Sequence, residues 1–294
     1  TLALDTDSDG LKDWEELLWK TDIRNADTDS DGTTDNEEIL AKRNPLVAGP
    51  DDTLRLPDLQ DKSVSSYTAN QDENLTAQVA KDFAVSYFTS KLTGSENGLL
   101  SEKTEETLAN NVLGSITNTI TAQSAKPPSP HYSSTDFSVL YTTTPQDVRA
   151  YINKLGTLFQ TASFPEQSDF EAIMAALSQA SNGNEESFQG LIPYSKGYKK
   201  LAEDMKTLPV PEAFLETHKG MANNFWNLGM RMDQFINLHN DPLSGFVALN
   251  TYAQEATVSI ELLRFVIYEI KTQKLSFSQE EGGSLFNKYL ETET

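Results

Sequence analysis

From about Asn74 onward, apolar residues recur at intervals of three and four, the spacing of a helix with one buried face. "NLTAQVAKDFAVSYFTSKL" sets Leu75, Val79, Phe83 and Tyr87 on one such face, and "SEKTEETLANNVLGSITNTI" does the same with Leu108, Val112, Leu113, Ile116 and Ile120. Pro127, Pro128 and Pro130 break the pattern and predict a long exposed loop, after which "DFSVLYTTT" reads as a short strand or an extended approach. A helix start follows at Thr144, with Pro145 at the first helical position, Asp147 in the first turn and a face of Val148, Ile152, Leu155 and Phe159. Ser168 opens the next helix, carrying Phe170, Ile173, Met174 and Leu177. A further segment, interrupted by Pro193, runs to about Leu208.

The two longest helices come late. The first spaces Phe214, Met221, Phe225, Leu228, Met232 and Phe235 at threes, fours and sevens. The second starts with Asp241 as cap and Pro242 at the first position, and the short His239–Pro242 connection predicts an antiparallel hairpin. Ser278 and Glu281 have the spacing of a capping box for a short last helix. The fold class read from this pattern is mainly α: a bundle of about seven helices over residues 73–294. Two acidic repeats precede it at 1–44, joined by a polar, proline-containing linker at 45–72.

Composition sharpens this picture. The 294 residues are 37% hydrophobic and 9% aromatic, which suits a folded chain with a wet surface. A formal net charge of -21 argues against nucleic acid and anionic lipid as partners and favours cations and basic surfaces. With no cysteine, a disulfide framework, a thiol nucleophile and a cysteine zinc site are excluded. No apolar run approaches the length of a membrane span. The first residue is Thr1, which fits a processed form or a fragment from which a signal peptide or anchor has been removed.

The acidic repeats carry the candidate chemistry. "DTDSDGLKDWEE" runs from Asp5 to Glu16, and "DTDSDGTTDNEE" follows 22 residues later, from Asp27 to Glu38. Like charges at this density repel one another unless a cation neutralises them. A calcium loop draws its oxygens from positions 1, 3, 5, 7, 9 and 12, with glycine at 6 for the bend and a carbonyl at 7. In the first repeat these are Asp5, Asp7, Asp9, Leu11 (carbonyl), Asp13 and Glu16, around Gly10. In the second they are Asp27, Asp29, Asp31, Thr33 (carbonyl), Asp35 and Glu38, around Gly32. An all-oxygen ligand set with a bidentate glutamate favours calcium over magnesium or zinc, so two calcium ions are expected. The first loop lacks an entering helix, and position 8 is polar, Lys12 and Thr34, unlike in a paired EF-hand. Trp14, Leu17, Leu18, Trp19, Ile39 and Leu40 are the local core candidates, free to dock on the helices as well.

The unit "DTDSDGLKDWEELLWKTDIRNADTDSDG" resembles bacterial calcium-binding repeats of the thrombospondin type 3 kind, over about residues 3–48. The resemblance implies that Asp5, Asp7, Asp9, Asp13, Glu16, Asp27, Asp29, Asp31, Asp35 and Glu38 are calcium ligands. It also implies an exported protein in which the repeats are rigid, calcium-set spacers. Animal members are cysteine-rich; this chain is not, which points to the bacterial form.

Elsewhere the signals are structural. His131, His218 and His239 read as packed or surface side chains, Asp241 as a cap, and Met221, Met230 and Met232 as helix core. Asn74-Leu75-Thr76 matches a glycosylation acceptor but begins a helix. No catalytic constellation is visible, so the expected function is a non-enzymatic extracellular or cell-surface protein. Its helical domain would bind a protein partner or self-associate. The alternatives are a self-assembling subunit of a filament or surface layer with calcium-set joints, and a helical ligand-binding protein.

Overall fold

A computed structural model describes residues 4–50, 52–54, 74–94, 101–141, 143–182, 184 and 186–290. Most of the predicted linker lies outside the described residues. The chain is mainly helical, as its periodicity predicts. Ten α-helices are described: α1 (Asp13–Trp19), α2 (Asp35–Leu40), α3 (Leu75–Gly94), α4 (Glu102–Ala125), α5 (Pro145–Thr161), α6 (Asp169–Ser181), α7 (Ile192–Met205), α8 (Leu215–Ile236), α9 (Pro242–Thr272) and α10 (Asn287–Leu290). No described helix is long and apolar enough to cross a membrane.

The chain divides into two compact units, Thr1–Thr119 and Ile120–Thr294. In the first, the acidic loops share a core with the two helices that follow. Leu11, Trp19 and Ile39 pack with Ala84, Tyr87 and Phe88 of α3 and Leu108 of α4, and Trp14, Leu18 and Phe83 pack against this cluster. Trp14 meets the Tyr87 ring edge-on at 5.3 Å, and Trp19 meets Phe88 at 4.6 Å. Glu15 is buried here with Lys91: its Oε1 accepts from Tyr87 Oη at 2.5 Å and from Lys91 Nζ at 3.0 Å. A buried cation and anion that meet with hydrogen bonds fix one docking geometry, and removing either partner would weaken it. Two residues expected in the local core are exposed, Leu17 and Leu40, because α1 and α2 are short and bury one side only. On α4, Leu108 is buried, whereas Leu113 is exposed.

The second unit is built on the α8–α9 hairpin. Asp241 caps α9, accepting from Ser244 N. Contacts of Gly245 with Leu238, Asn224 with Glu255 and Gly220 with Leu262 run in opposite chain directions, so the helices are antiparallel, as the short connection predicts. Phe214, Met221, Phe225, Leu228, Met232 and Phe235 are all buried, and so are Val148, Ile152 and Leu155 of α5. The capping box at Thr144 forms, with Asp147 N donating to Thr144 Oγ1 and Thr144 N to Asp147 Oδ2. The expected strand is two residues long, Val139–Leu140, and pairs in parallel with Val210–Pro211.

Three further expectations are corrected. On α6, Phe170 and Met174 face solvent; the buried side is Ile173 and Ala176, which pack with Phe188 and Leu191 of the turn before α7. Met230 is exposed, off the stripe of Met221 and Met232. Ser278 and Glu281 close a turn, and the last helical segment begins after them as a 3₁₀ turn over Gly282–Phe286. Glu281 accepts from Ser278 N and at the same time pairs the guanidinium of Arg149 through both oxygens at 2.7 and 2.8 Å. Here the backbone runs against α5 so closely that a Cβ on Gly156 would collide with the Gly282 carbonyl oxygen.

His218 is fully buried, bonded through Nδ1 to Tyr151 Oη at 2.9 Å and through Nε2 to the Met205 carbonyl at 3.0 Å. Both ring nitrogens are used, as expected of a packed histidine. Burial pushes its pKa down to about 4, so it is neutral near pH 7. Asn74 caps α3, accepting from Ala77 N at 2.8 Å.

Candidate metal centre

The two acidic loops repeat in backbone as they do in sequence. Ser8 and Ser30, Gly10 and Gly32, and Lys20 and Lys42 have positive φ in pairs 22 residues apart. At Gly10, with φ of 102°, a side chain would be strained and would also meet Asn36. Each loop is tied by its own aspartates. Asp5 accepts from Ser8 N and Gly10 N, and Asp27 from Asp31 N and Gly32 N. Asp9 Oδ1 accepts from Leu11 N at 2.7 Å, and Asp31 Oδ1 from Thr33 N at 2.9 Å.

These bonds gather three carboxylates in each loop. Asp5, Asp7 and Asp9 offer ligand atoms within 4.8 Å of one another, as do Asp27, Asp29 and Asp31. Leu11 and Thr33 follow the bend, and the Leu11 side chain is fully buried in the core, which anchors the first loop at its seventh position. Asp13 and Asp35 head α1 and α2. Their oxygens are engaged by the threonine at the second position: Thr6 N and Oγ1 reach Asp13 at 2.8 and 2.9 Å, and Thr28 N and Oγ1 reach Asp35 at 2.9 and 2.7 Å. The ninth position thus staples the loop to the helix start.

No family model matches the chain, and no curated protein or solved structure matches it. The chemistry of the site is therefore argued from its own atoms.

Glu16 and Glu38 close the loops from α1 and α2, and both are wholly buried. Neither side chain has a hydrogen-bond partner on either oxygen, and the same is true of Asp7 Oδ2 and Asp29 Oδ2. The same three oxygens lack a hydrogen bond in both loops, although Glu38 Oε1 lies 3.3 Å from the Arg43 guanidinium and Glu16 has no such cation among the described residues. Buried polar atoms are almost always partnered, so a set of anionic oxygens left over twice at the same positions fits a cation. Burial, then the charges of Asp7, Asp9, Asp13 and Asp35, push the Glu16 carboxyl up to about 7. Burial, then Asp29 and Asp31, do the same to Glu38, against the pull of Arg43.

The second loop has additional neighbours. Asp31, Glu38 and Asp52 form a third cluster with oxygens within 4.8 Å. The Arg43 guanidinium reaches Asp31 Oδ2 at 2.6 Å, Glu38 Oε1 at 3.3 Å and Asp52 Oδ2 at 2.6 Å. The N–H groups of Gly49 and Thr33, with Arg43, hold Asp31 down to about 2. In the first loop, Asp9 Oδ2 accepts instead from Asn36 N at 3.1 Å, at the start of α2. Asn36, Arg43, Gly49 and Asp52 are absent from the ligand pattern. The 22-residue period sets Arg43 against Thr21, which marks a difference between the repeats without naming its partners.

Proposed function

We propose that the chain is an exported, calcium-binding cell-surface protein without enzymatic activity. Its two acidic loops each bind one calcium ion and stiffen the first unit, and its helices serve interaction with a protein partner. The observation that carries this reading is the recurrence of the orphaned oxygens of Asp7 and Glu16 at Asp29 and Glu38. The ions would be held by Asp5, Asp7, Asp9 and Glu16, and by Asp27, Asp29, Asp31 and Glu38. The carbonyls of Leu11 and Thr33 would add to them, with Asp13 and Asp35 acting from the position they hold against Thr6 and Thr28. Bound calcium supplies the positive charge that lets buried carboxylates stay ionised, so binding and ordering of the loops are one event. Extracellular modules bind calcium at roughly 10⁻⁴ to 10⁻³ M, a range in which sites fill outside a cell and stay mostly empty in cytosol.

The helical second unit favours an interaction role over a small-molecule one. Two clefts described in it are open to solvent. One of 440 Å³ is lined by Leu158, Ser163, Pro193, Lys196, Lys200 and Asp204, and one of 330 Å³ by Phe159, Ile260, Leu263, Arg264 and Ile267. Calorimetric titration of the chelator-treated protein with calcium chloride tests the central claim. Two ions per chain in the millimolar range or tighter are expected; no heat and no stoichiometric binding at millimolar calcium would end it.

A further inference from the structure

The loops differ in what holds their third aspartate from outside. Asp9 Oδ2 takes its hydrogen bond from Asn36, a residue of the next repeat. The sequence does not write the twelve-residue acidic pattern a third time. Instead residues 43–50 and 52–54 fold back over the second loop: Asn44 N donates to the Asp52 carbonyl at 2.7 Å and Leu54 N to the Lys42 carbonyl at 2.8 Å, with Arg43 and Thr53 bridged in antiparallel fashion. Within this fold-back, the Arg43 fork spans Asp31 and Asp52, while its Nη2 also faces Glu38. Gly49 N donates to the same Asp31 oxygen at 2.9 Å.

We propose that residues 43–50 and 52–54 are a terminal cap that takes the place of a third repeat, with Arg43 the positioning residue for the second calcium site. Three features carry it. Asp52 is buried, so its pairing with Arg43 is a built contact rather than a surface encounter. Arg43 touches two of the second site's carboxylates at once. Glu38 is wholly buried with neither oxygen hydrogen-bonded, so its direction depends on the charge beside it. Outer partners of metal ligands fix ligand orientation, and losing one costs about 10- to 100-fold in metal affinity. Asp52 offsets the charge that Arg43 brings, so the guanidinium orients the site without lowering its net negative charge.

This inference rests on the calcium reading, and the test separates the two. The backbone amides of Gly10 and Gly32 report the two sites individually in a calcium chloride titration of the full chain followed by NMR. With Arg43→Gln, the Gly32 midpoint is expected to rise at least tenfold while the Gly10 midpoint stays. Adding Asp52→Asn to that variant is expected to change the Gly32 midpoint little further, because the two act as one clasp. An unchanged or lower Gly32 midpoint, or an equal shift at Gly10, would overturn the proposal. So would an Asp52→Asn effect that simply adds. Should Arg43→Gln fail to fold, Arg43→Lys carries the test: one ammonium cannot span Asp31 and Asp52, so the Gly32 midpoint must still rise alone. A wild-type protein in which neither amide responds to calcium would defeat the calcium reading itself.

Discussion

Glu16 and Glu38 bear the cost of the site and are the sharpest places to test it. A buried carboxylate without donors is expensive to keep ionised, and here each faces further acids. The change Glu16→Gln removes the charge and one ligand oxygen while keeping the shape. Calorimetry on Glu16→Gln, and separately on Glu38→Gln, is expected to show one ion per chain instead of two, the altered loop weakened by 100-fold or more. Retention of two sites in either variant would mean that these glutamates do not face the ion. The twelve-residue pattern made every one of these acids legible, because spacing alone dictates which side chains a tight turn gathers. It did not distinguish Asp13 and Asp35 from the other acids, since their engagement by Thr6 and Thr28 depends on the turn of the backbone. Nor did it disclose Asp52, which reaches the second loop only through a fold-back with no apolar period to betray it.

At the scale of elements, helix positions were the most legible feature and helix faces less so. Pro145 and Pro242 mark the first residues of α5 and α9, where a missing N–H costs nothing. Faces depend on neighbours the pattern does not name. Phe170 is exposed because α6 turns Ile173 and Ala176, with Ala172, Leu177 and Ala180 beside them, toward Phe188, Leu191, Met232 and Phe235. Two predictions belong here. Tyr87→Phe removes the hydroxyl that donates to Glu15 in a buried cluster with Lys91, and is expected to lower the stability of the first unit by about 1–3 kcal/mol. Urea unfolding followed by tryptophan emission, to which Trp14 and Trp19 contribute, would register it, and an unchanged midpoint would show that the contact is dispensable. In the second unit, His218 on α8 packs against Tyr151 of α5 and Met205 of α7. Its folded pKa, about 4, lies below the unfolded value of 6.5. The stability from keeping it neutral is therefore present above about pH 6.5 and is lost as pH falls from there toward 4. Comparing wild type with His218→Asn between pH 7 and 4 is expected to show a shallower decline in the variant; parallel curves would exclude His218 as a source.

For the molecule as a whole, the central consequence is that calcium should act on one unit and spare the other. The acidic loops, α3 and most of α4 lie in the first unit, and Leu11, Trp19 and Ile39 share their core with Tyr87, Phe88 and Leu108. Composition suggested a break at the polar linker after residue 44, where periodicity lapses. It could not register that α1 and α2 are too short to bury Trp14, Trp19 and Ile39 by themselves and must use α3 to do so. Calcium that binds the loops therefore stabilises those helices too. At a concentration 100 times the dissociation constant, each ion adds about 2.7 kcal/mol. For a unit of 119 residues this raises the midpoint by roughly 10 °C per site. Scanning calorimetry of the full chain, first in chelator and then in calcium at 100 times the dissociation constant, should show one transition moving upward by that order. The second unit's transition should stay in place, because none of the loop residues belongs to it. Hydrogen exchange in chelator should then find α3 opened together with the loops while α8 and α9 remain protected. Protection of α3 equal to that of α9 would show that the aromatic core holds without its ions, and that calcium tunes the loops alone.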